Sequence, residues 1–203
     1  DELAAHWQQV YETKPETGVS WYELEPALSL SLIAEADARP DAAIIDVGGG
    51  ASRLVDGLLA QGAKDTTVLD LSPAALEVSR HRLGTAGENV KWIAADITRW
   101  QPDRVYDVWH DRAVFLFMVT PSGREAFVRA LESALRPGGA ALIATFAPDG
   151  PEKCSGLPVC RYDAESLAAV LGPTFRLIGT LRHEHVTPWG SAQKFQFSTF
   201  RKT

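Results

Sequence analysis

The chain has 203 residues, 45% of them hydrophobic and 23% charged, with a net charge of −6 at pH 7. That size and balance fit one globular domain burying roughly 70% of its unfolded surface, and the absence of any Lys/Arg run argues against a nucleic-acid partner. No apolar stretch reaches the ~18 residues of a membrane span, no basic-then-apolar leader opens the chain, and Cys154 and Cys160 make no disulfide framework, so the expectation is a soluble, cytoplasmic protein with no membrane partner.

Residues 2–14 read as a helix, with Leu3, Trp7, Val10 and Tyr11 at spacings of three and four. A Pro/Gly break, "KPETGVSW", follows, and Pro26 opens a second helix, "PALSLSLIAEA". Strands and helices then alternate. "AAIIDV" (42–47), "TTVLDL" (66–71), "VKWIAAD" (90–96), "VYDVWH" (105–110) and "AALIATF" (140–146) are short apolar strands. Between them, "SRLVDGLLAQG" is a helix ending near Gly62, and "SPAALEVSRHRL" opens on a Ser cap with Pro at its first position. "SGREAFVRALESALRPGG" is a helix stopped by Pro-Gly-Gly, and "DAESLAAVLG" is another with an Asp cap. "FRLIGTLRHEHV" and "SAQKFQFSTF" read as a terminal hairpin turning at Thr187–Gly190.

Alternation of this kind implies a mostly parallel sheet covered on both faces, with the hairpin supplying an antiparallel edge. Ligands of open α/β sheets bind beyond the carboxyl ends of the strands. There the first strand runs into "DVGGGAS", the second ends in Asp70, the third in Asp96 and the fourth in His110-Asp111. One such Asp is commonly a helix cap; four polar ends on one edge exceed what capping requires. Gly48, Gly49 and Gly50 permit a tight turn and close backbone approach. Asp70, twenty residues after Gly50, suits a ribose diol. Two nucleoside cofactors fit. A dinucleotide calls for Gly-x-Gly-x-x-Gly, and Arg53 stands where the third glycine belongs. S-adenosylmethionine (SAM) calls for an acid two residues before the first glycine, Asp46, and a polar group after strand three, Asp96.

"IIDVGGGAS", "VLDLSP", "WIAADI" and "LRPGGAALIATF" resemble the successive motifs of class I SAM-dependent methyltransferases across residues 42–146. One position departs: Ser52 stands for the family's third motif glycine, with Gly49 in the middle, and Ser52 is free to cap the following helix. The resemblance implies a Rossmann-like three-layer α/β sandwich with a seven-stranded sheet and an antiparallel C-terminal hairpin. It implies a single domain over 1–203: an N-terminal lid (1–40), a cofactor core (42–146) and an acceptor-side loop, helix and hairpin (147–203). It further implies that Asp46, Gly48, Gly49 and Gly50 line the methionine and ribose, Asp70 holds the ribose hydroxyls, and Leu71 packs on adenine. Asp96 meets the adenine amine with Ile97 beside it, and His110 lies near the methionine amino group. The product is S-adenosylhomocysteine (SAH).

His110 and Asp111 are the candidate catalytic pair; the alternative is that Asp111 pairs with Arg112 or another basic residue and holds the loop. Trp21 and Tyr22, after the Gly18 break, are expected at the pocket mouth with Arg112, as acceptor-binding residues; Trp7 and Tyr11 are expected to pack the first helix onto the sheet. The long loop 147–162 overhangs the acceptor side. Cys-x5-Cys is not a zinc spacing, and His183 and His185 read as one strand face, so no metal is expected. The expected acceptor is a small molecule: a thiol, a chalcogen or another metabolite. The alternatives are a protein lysine, with Trp21, Glu23, Glu25 and Asp111 as the channel, and a non-catalytic SAM-binding subunit. The expected assembly is a monomer or homodimer.

Overall fold

A computed structural model describes residues 2–37 and 39–203. In chain order the elements are α1 (Glu2–Thr13), α2 (Ala27–Ala36), β1 (Ala43–Val47), α3 (Leu54–Ala60), β2 (Asp65–Asp70), α4 (Pro73–Leu83), β3 (Lys91–Ala94) and β4 (Tyr106–Arg112). They continue with α5 (Pro121–Ala134), β5 (Leu135–Phe146), a two-residue ribbon β6 (Lys153–Cys154) and β7 (Leu157–Pro158), α6 (Ala164–Leu171), β8 (Phe175–Val186) and β9 (Ala192–Lys202). The seven-stranded sheet runs β3-β2-β1-β4-β5-β9-β8, parallel through β5 and antiparallel beyond it. The last strand of the chain thus slots between β5 and β8.

Alternation along the buried strands builds the three layers. Ile45, Trp109 and Ile143 face α5 and α6, packing with Phe127, Leu131 and Leu167. Their neighbours Ile44, Val108 and Leu142 face the other way, against Ile33 of α2 and Leu54 and Leu58 of α3. Helix α5 buries Phe127, Ala130, Leu131 and Ala134, one stripe at helical spacing.

Several boundaries move by a few residues for local reasons. Pro26 sits just before α2, its carbonyl accepting from Leu30 N–H (3.0 Å), so the helix proper begins at Ala27. Helix α5 stops at Ala134, and β5 starts five residues earlier than the apolar run, because Leu135 pairs with Tyr106 before a register shift. The Ser72 and Asp163 caps form as read: Ser72 Oγ accepts from Ala75 N–H, and Asp163 makes a reciprocal capping box with Ser166. Among the described residues no helix is long and apolar enough to cross a membrane.

Candidate active site

The strand order reverses between β1 and β4, and the crevice of a doubly wound sheet opens at such a reversal. On the β1 side lies the glycine loop. Gly48 has φ +72° and its N–H donates to Leu69 O (2.7 Å). A Cβ there would overlap Val114 Cγ2, and a Cβ on Gly50 (φ +28°) would come 2.6 Å from Asp70 Oδ2. Gly48→Ala therefore meets both a left-handed backbone and an occupied space. We expect it to lower stability by roughly 2 kcal/mol or more, read as a drop in urea midpoint; an unchanged midpoint would contradict this packing. Ser52 turns its hydroxyl toward the following helix, accepting from Leu54 N–H (3.1 Å). The loop is braced from α4, where Ser79 Oγ donates to Gly50 O (2.6 Å) and Arg82 reaches Ala51 O, Ser52 O and Asp56. These two braces were not read from the sequence.

A cavity of 520 Å³ opens at the carboxyl edge, within the usual range of roughly 300–1,000 Å³ for small-molecule sites. It gathers Gly48, Asp70, Leu71, Asp96, Ile97, Trp21 and Arg112 of the residues singled out above. Asp70 is buried, with Oδ1 accepting from Ser72 N–H (2.8 Å). Burial, reinforced by nearby Asp46, pushes its pKa up to about 7 against the pull of backbone N–H groups at Ser72, Leu71 and Gly50. Asp96 uses Oδ1 on Thr98, accepting from its N–H (2.9 Å) and hydroxyl (2.7 Å), while Arg99 stands 3.8 Å from Oδ2. A smaller cavity of 40 Å³ adjoins, sharing Trp21, Gly48 and Arg112, and it is lined by Asp46, Gly49, His110 and Tyr22. Gly50 and Asp111 line neither.

Strand β4 divides its polar residues between two faces. His110 and Arg112 point toward α2 and the segment before it; Asp111 points toward α5, which is why it forms no pair with Arg112. His110 is buried between Asp46 Oδ1 (2.7 Å from Nδ1) and Ser29 Oγ (2.9 Å from Nε2). Asp111, wholly buried, accepts from Val114 N–H (2.7 Å) and Phe115 N–H (2.9 Å). Burial pushes its pKa up to about 7 although both amides favour the ionised form. Its two bonds close a turn around Ala113, which sits at φ +74°. Arg112 donates to Trp21 O (2.9 Å) and Glu23 Oε1 (3.1 Å), with its guanidinium over the Phe195 ring at 5.2 Å.

Residues 44–139 match the methyltransferase-domain family. The chain is 32% identical over 81 residues to malonyl-[acyl-carrier protein] O-methyltransferase 2 of Ilyobacter polytropus, covering 40% of this chain and 30% of that one. It is 25% identical over 181 residues to EEF1A lysine methyltransferase 2 of Danio rerio, covering 85% and 72%. Its fold is shared with 1,6-didemethyltoxoflavin-N1-methyltransferase of Burkholderia thailandensis at a TM-score of 0.75 and 19% identity, covering 99% and 87%. Residues 44–139 thus form a methyltransferase domain, on the Rossmann-like fold of class I SAM-dependent methyltransferases.

The roof of the large cavity comes from the N-terminal segment. Gln8 of α1 accepts from Ser72 Oγ–H (3.0 Å) and Ala74 N–H (3.2 Å), tying α1 to the start of α4. Trp7 and Tyr11 line the cavity besides packing. Trp7 meets Trp21 and Phe117 edge-on at 5.4 and 5.3 Å, and Trp21 Nε1–H donates to Tyr11 Oη (3.2 Å). Residues 19–23 form a strap held from the C-terminal hairpin: His185 Nε2 donates to Ser20 O (2.7 Å), and its Nδ1 lies 3.2 Å from Glu23 Oε1. Burial alone would raise Glu23, but the His185 bond and the Arg112 charge bring it below the ordinary carboxylate range. Cys154, in the ribbon after β5, is buried in the cavity wall and its thiol is pushed up to about 11 by that burial. Among the described residues no three His, Cys, Asp or Glu side chains gather as a metal-binding group.

Proposed function

We propose that this methyltransferase acts on a small organic acceptor, held under α1 and the 19–23 strap beside SAM. The donor set of the large cavity fits SAM. Asp70 would present a carboxylate to the ribose diol, Leu71 and Ile97 apolar faces to adenine, and Asp96 Oδ2 an acceptor to the adenine amine. Gly48 and the small cavity bounded by Asp46, Gly49 and His110 suit the methionine portion, with Gly50 holding the loop's shape. Bound SAM supplies a methyl group on a sulfonium, whose displacement depends on alignment of acceptor, methyl and sulfur.

The residues of this chain align and enclose. The rings of Trp7, Tyr11 and Trp21 shield the site from water and offer π faces to a cation. His110 acts as a positioning residue: it spans α2 and the acid before the glycine loop, with both ring nitrogens engaged. Asp111 serves the turn that carries Val114 to Gly48. Burial holds Tyr11 and Cys154, which line the roof end of the cavity, as neutral hydroxyl and thiol, so neither offers a base. An acceptor atom that arrives with its lone pair free needs no base.

One observation carries the small-molecule reading. Two of the three acids that would line a lysine channel are committed elsewhere, Glu23 to Arg112 and His185 and Asp111 to two backbone amides, and the third, Glu25, is exposed and lines neither cavity. The resemblance to the Danio rerio lysine methyltransferase over 85% of the chain favours the second reading, a protein lysine acceptor. Methyl-labelled SAM incubated with protein and a cell extract, then split into macromolecules and small solutes, separates them. Label in the small-solute or volatile fraction is the expected result; label in one protein band would establish the lysine reading. Transfer to any acceptor excludes a non-catalytic subunit.

A further inference from the structure

We infer that the acceptor is an organic carboxylate with a flat apolar body, its anionic group paired with Arg112. This rests on the reading that the cavity holds SAM together with a small acceptor.

The ionisable groups lining the large cavity divide by position. Asp70, Asp96 and Arg99 stand at the carboxyl ends of β2 and β3, where the nucleoside belongs. At the roof stand Tyr11, Cys154 and Arg112, and the first two are neutral. Arg112 is thus the cation that a ligand under the roof meets. Its side chain is only 13% exposed, and it borders both cavities. A guanidinium carries five N–H groups in a planar fork. The Trp21 carbonyl and Glu23 take one nitrogen each, and Phe195 fixes the plane from one face. Glu23 does not neutralise Arg112 alone, since the same Oε1 also faces His185. Asp46, the other acid acting on Arg112, is bonded to His110. Beyond these two bonds the Arg112 fork keeps N–H donors at the cavity wall, and a carboxylate matches such a fork. The surrounding wall of Trp7, Trp21 and Phe117 offers ring edges and faces to a planar body.

The test uses three probes of one shape and different charge: benzoate, benzamide and benzylammonium. Each is titrated calorimetrically into the full chain saturated with SAH, whose own binding is measured first. Benzoate is expected to bind at least about tenfold more tightly than the other two, a charge-assisted bond's worth. Arg112→Lys, which keeps the charge and loses the fork, is expected to weaken benzoate by roughly tenfold. Glu23→Gln removes the competing charge and keeps a hydrogen-bond acceptor, and it is expected to tighten benzoate by about threefold or more. This variant decides the matter even where Arg112→Lys fails to fold. Benzylammonium binding as tightly as benzoate, or weaker benzoate binding in Glu23→Gln, would overturn the inference. Failure of SAH to bind would instead overturn the cofactor reading, and benzoate titrated into the free chain would still decide the role of Arg112.

Discussion

Asp70→Asn is expected to weaken SAH binding by more than about tenfold while leaving the free protein as stable as before, or more stable, at pH 8. The two effects have one cause. Asp70 lies buried at the end of β2, where the loss of water pushes its pKa up from an ordinary 3.8 to about 7. A carboxyl whose folded pKa lies above its unfolded one contributes stability below the unfolded value, and that contribution is lost as pH rises through the folded value. The free protein should therefore melt at lower temperature at pH 8 than at pH 5, and the Asn variant should flatten that slope. Cofactor binding runs the other way. Ribose hydroxyls are donors, and the ionised carboxylate accepts from two of them at once, each such bond to a charged group being worth about 1.5–3 kcal/mol. Affinity for SAH should rise as pH passes through about 7 in the wild type. Calorimetric titration of both proteins across this range checks the assignment; equal affinities would remove Asp70 from the cofactor site.

The polar carboxyl edge of the sheet was legible in the sequence because its signals are local. Gly48 needs a left-handed backbone, Asp46 precedes it by two residues, Asp70 closes β2, and Asp96 follows the end of β3 by two residues. Caps such as Ser72 and Asp163 are read within four residues of their partners. The roof was not legible in this way. Gln8 finds Ser72 across 64 positions, Arg112 finds Glu23 across 89, and His185 finds Ser20 across 165. No periodicity encodes such pairings; the sheet order creates them by bringing β8 and β4 to the same strap. Trp7 and Tyr11 show a further limit. Helical spacing correctly puts them on the inward face of α1, but inward here means cavity as well as core. The relation of Asp111 to Arg112 was open to a simple argument, since adjacent strand residues face opposite sides once β4 is extended to Arg112.

Asp111→Ala separates the structural role of that residue from a catalytic one. Its carboxylate is wholly buried and lines neither cavity, so the variant removes the acceptor for two backbone amides, Val114 N–H and Phe115 N–H. An amide left unpaired in the interior costs about 1–3 kcal/mol, which puts the total for two at roughly 2–6 kcal/mol. For a domain of this size, each kcal/mol moves the melting temperature by roughly 2–4 °C, so a fall of about 4–24 °C is expected in thermal melts. The turn also holds Ala113 at φ +74°, a conformation that an L-residue keeps only when its surroundings impose it. Once the clamp is gone, Val114 is released from its seat against Gly48, and SAH affinity should fall together with stability. Asp111→Asn, which retains one acceptor oxygen, should lie between wild type and Ala in both measurements. A catalytic carboxylate would behave differently: Asp111→Ala would abolish turnover with melting temperature and SAH affinity unchanged, and that result would place Asp111 back in the chemistry.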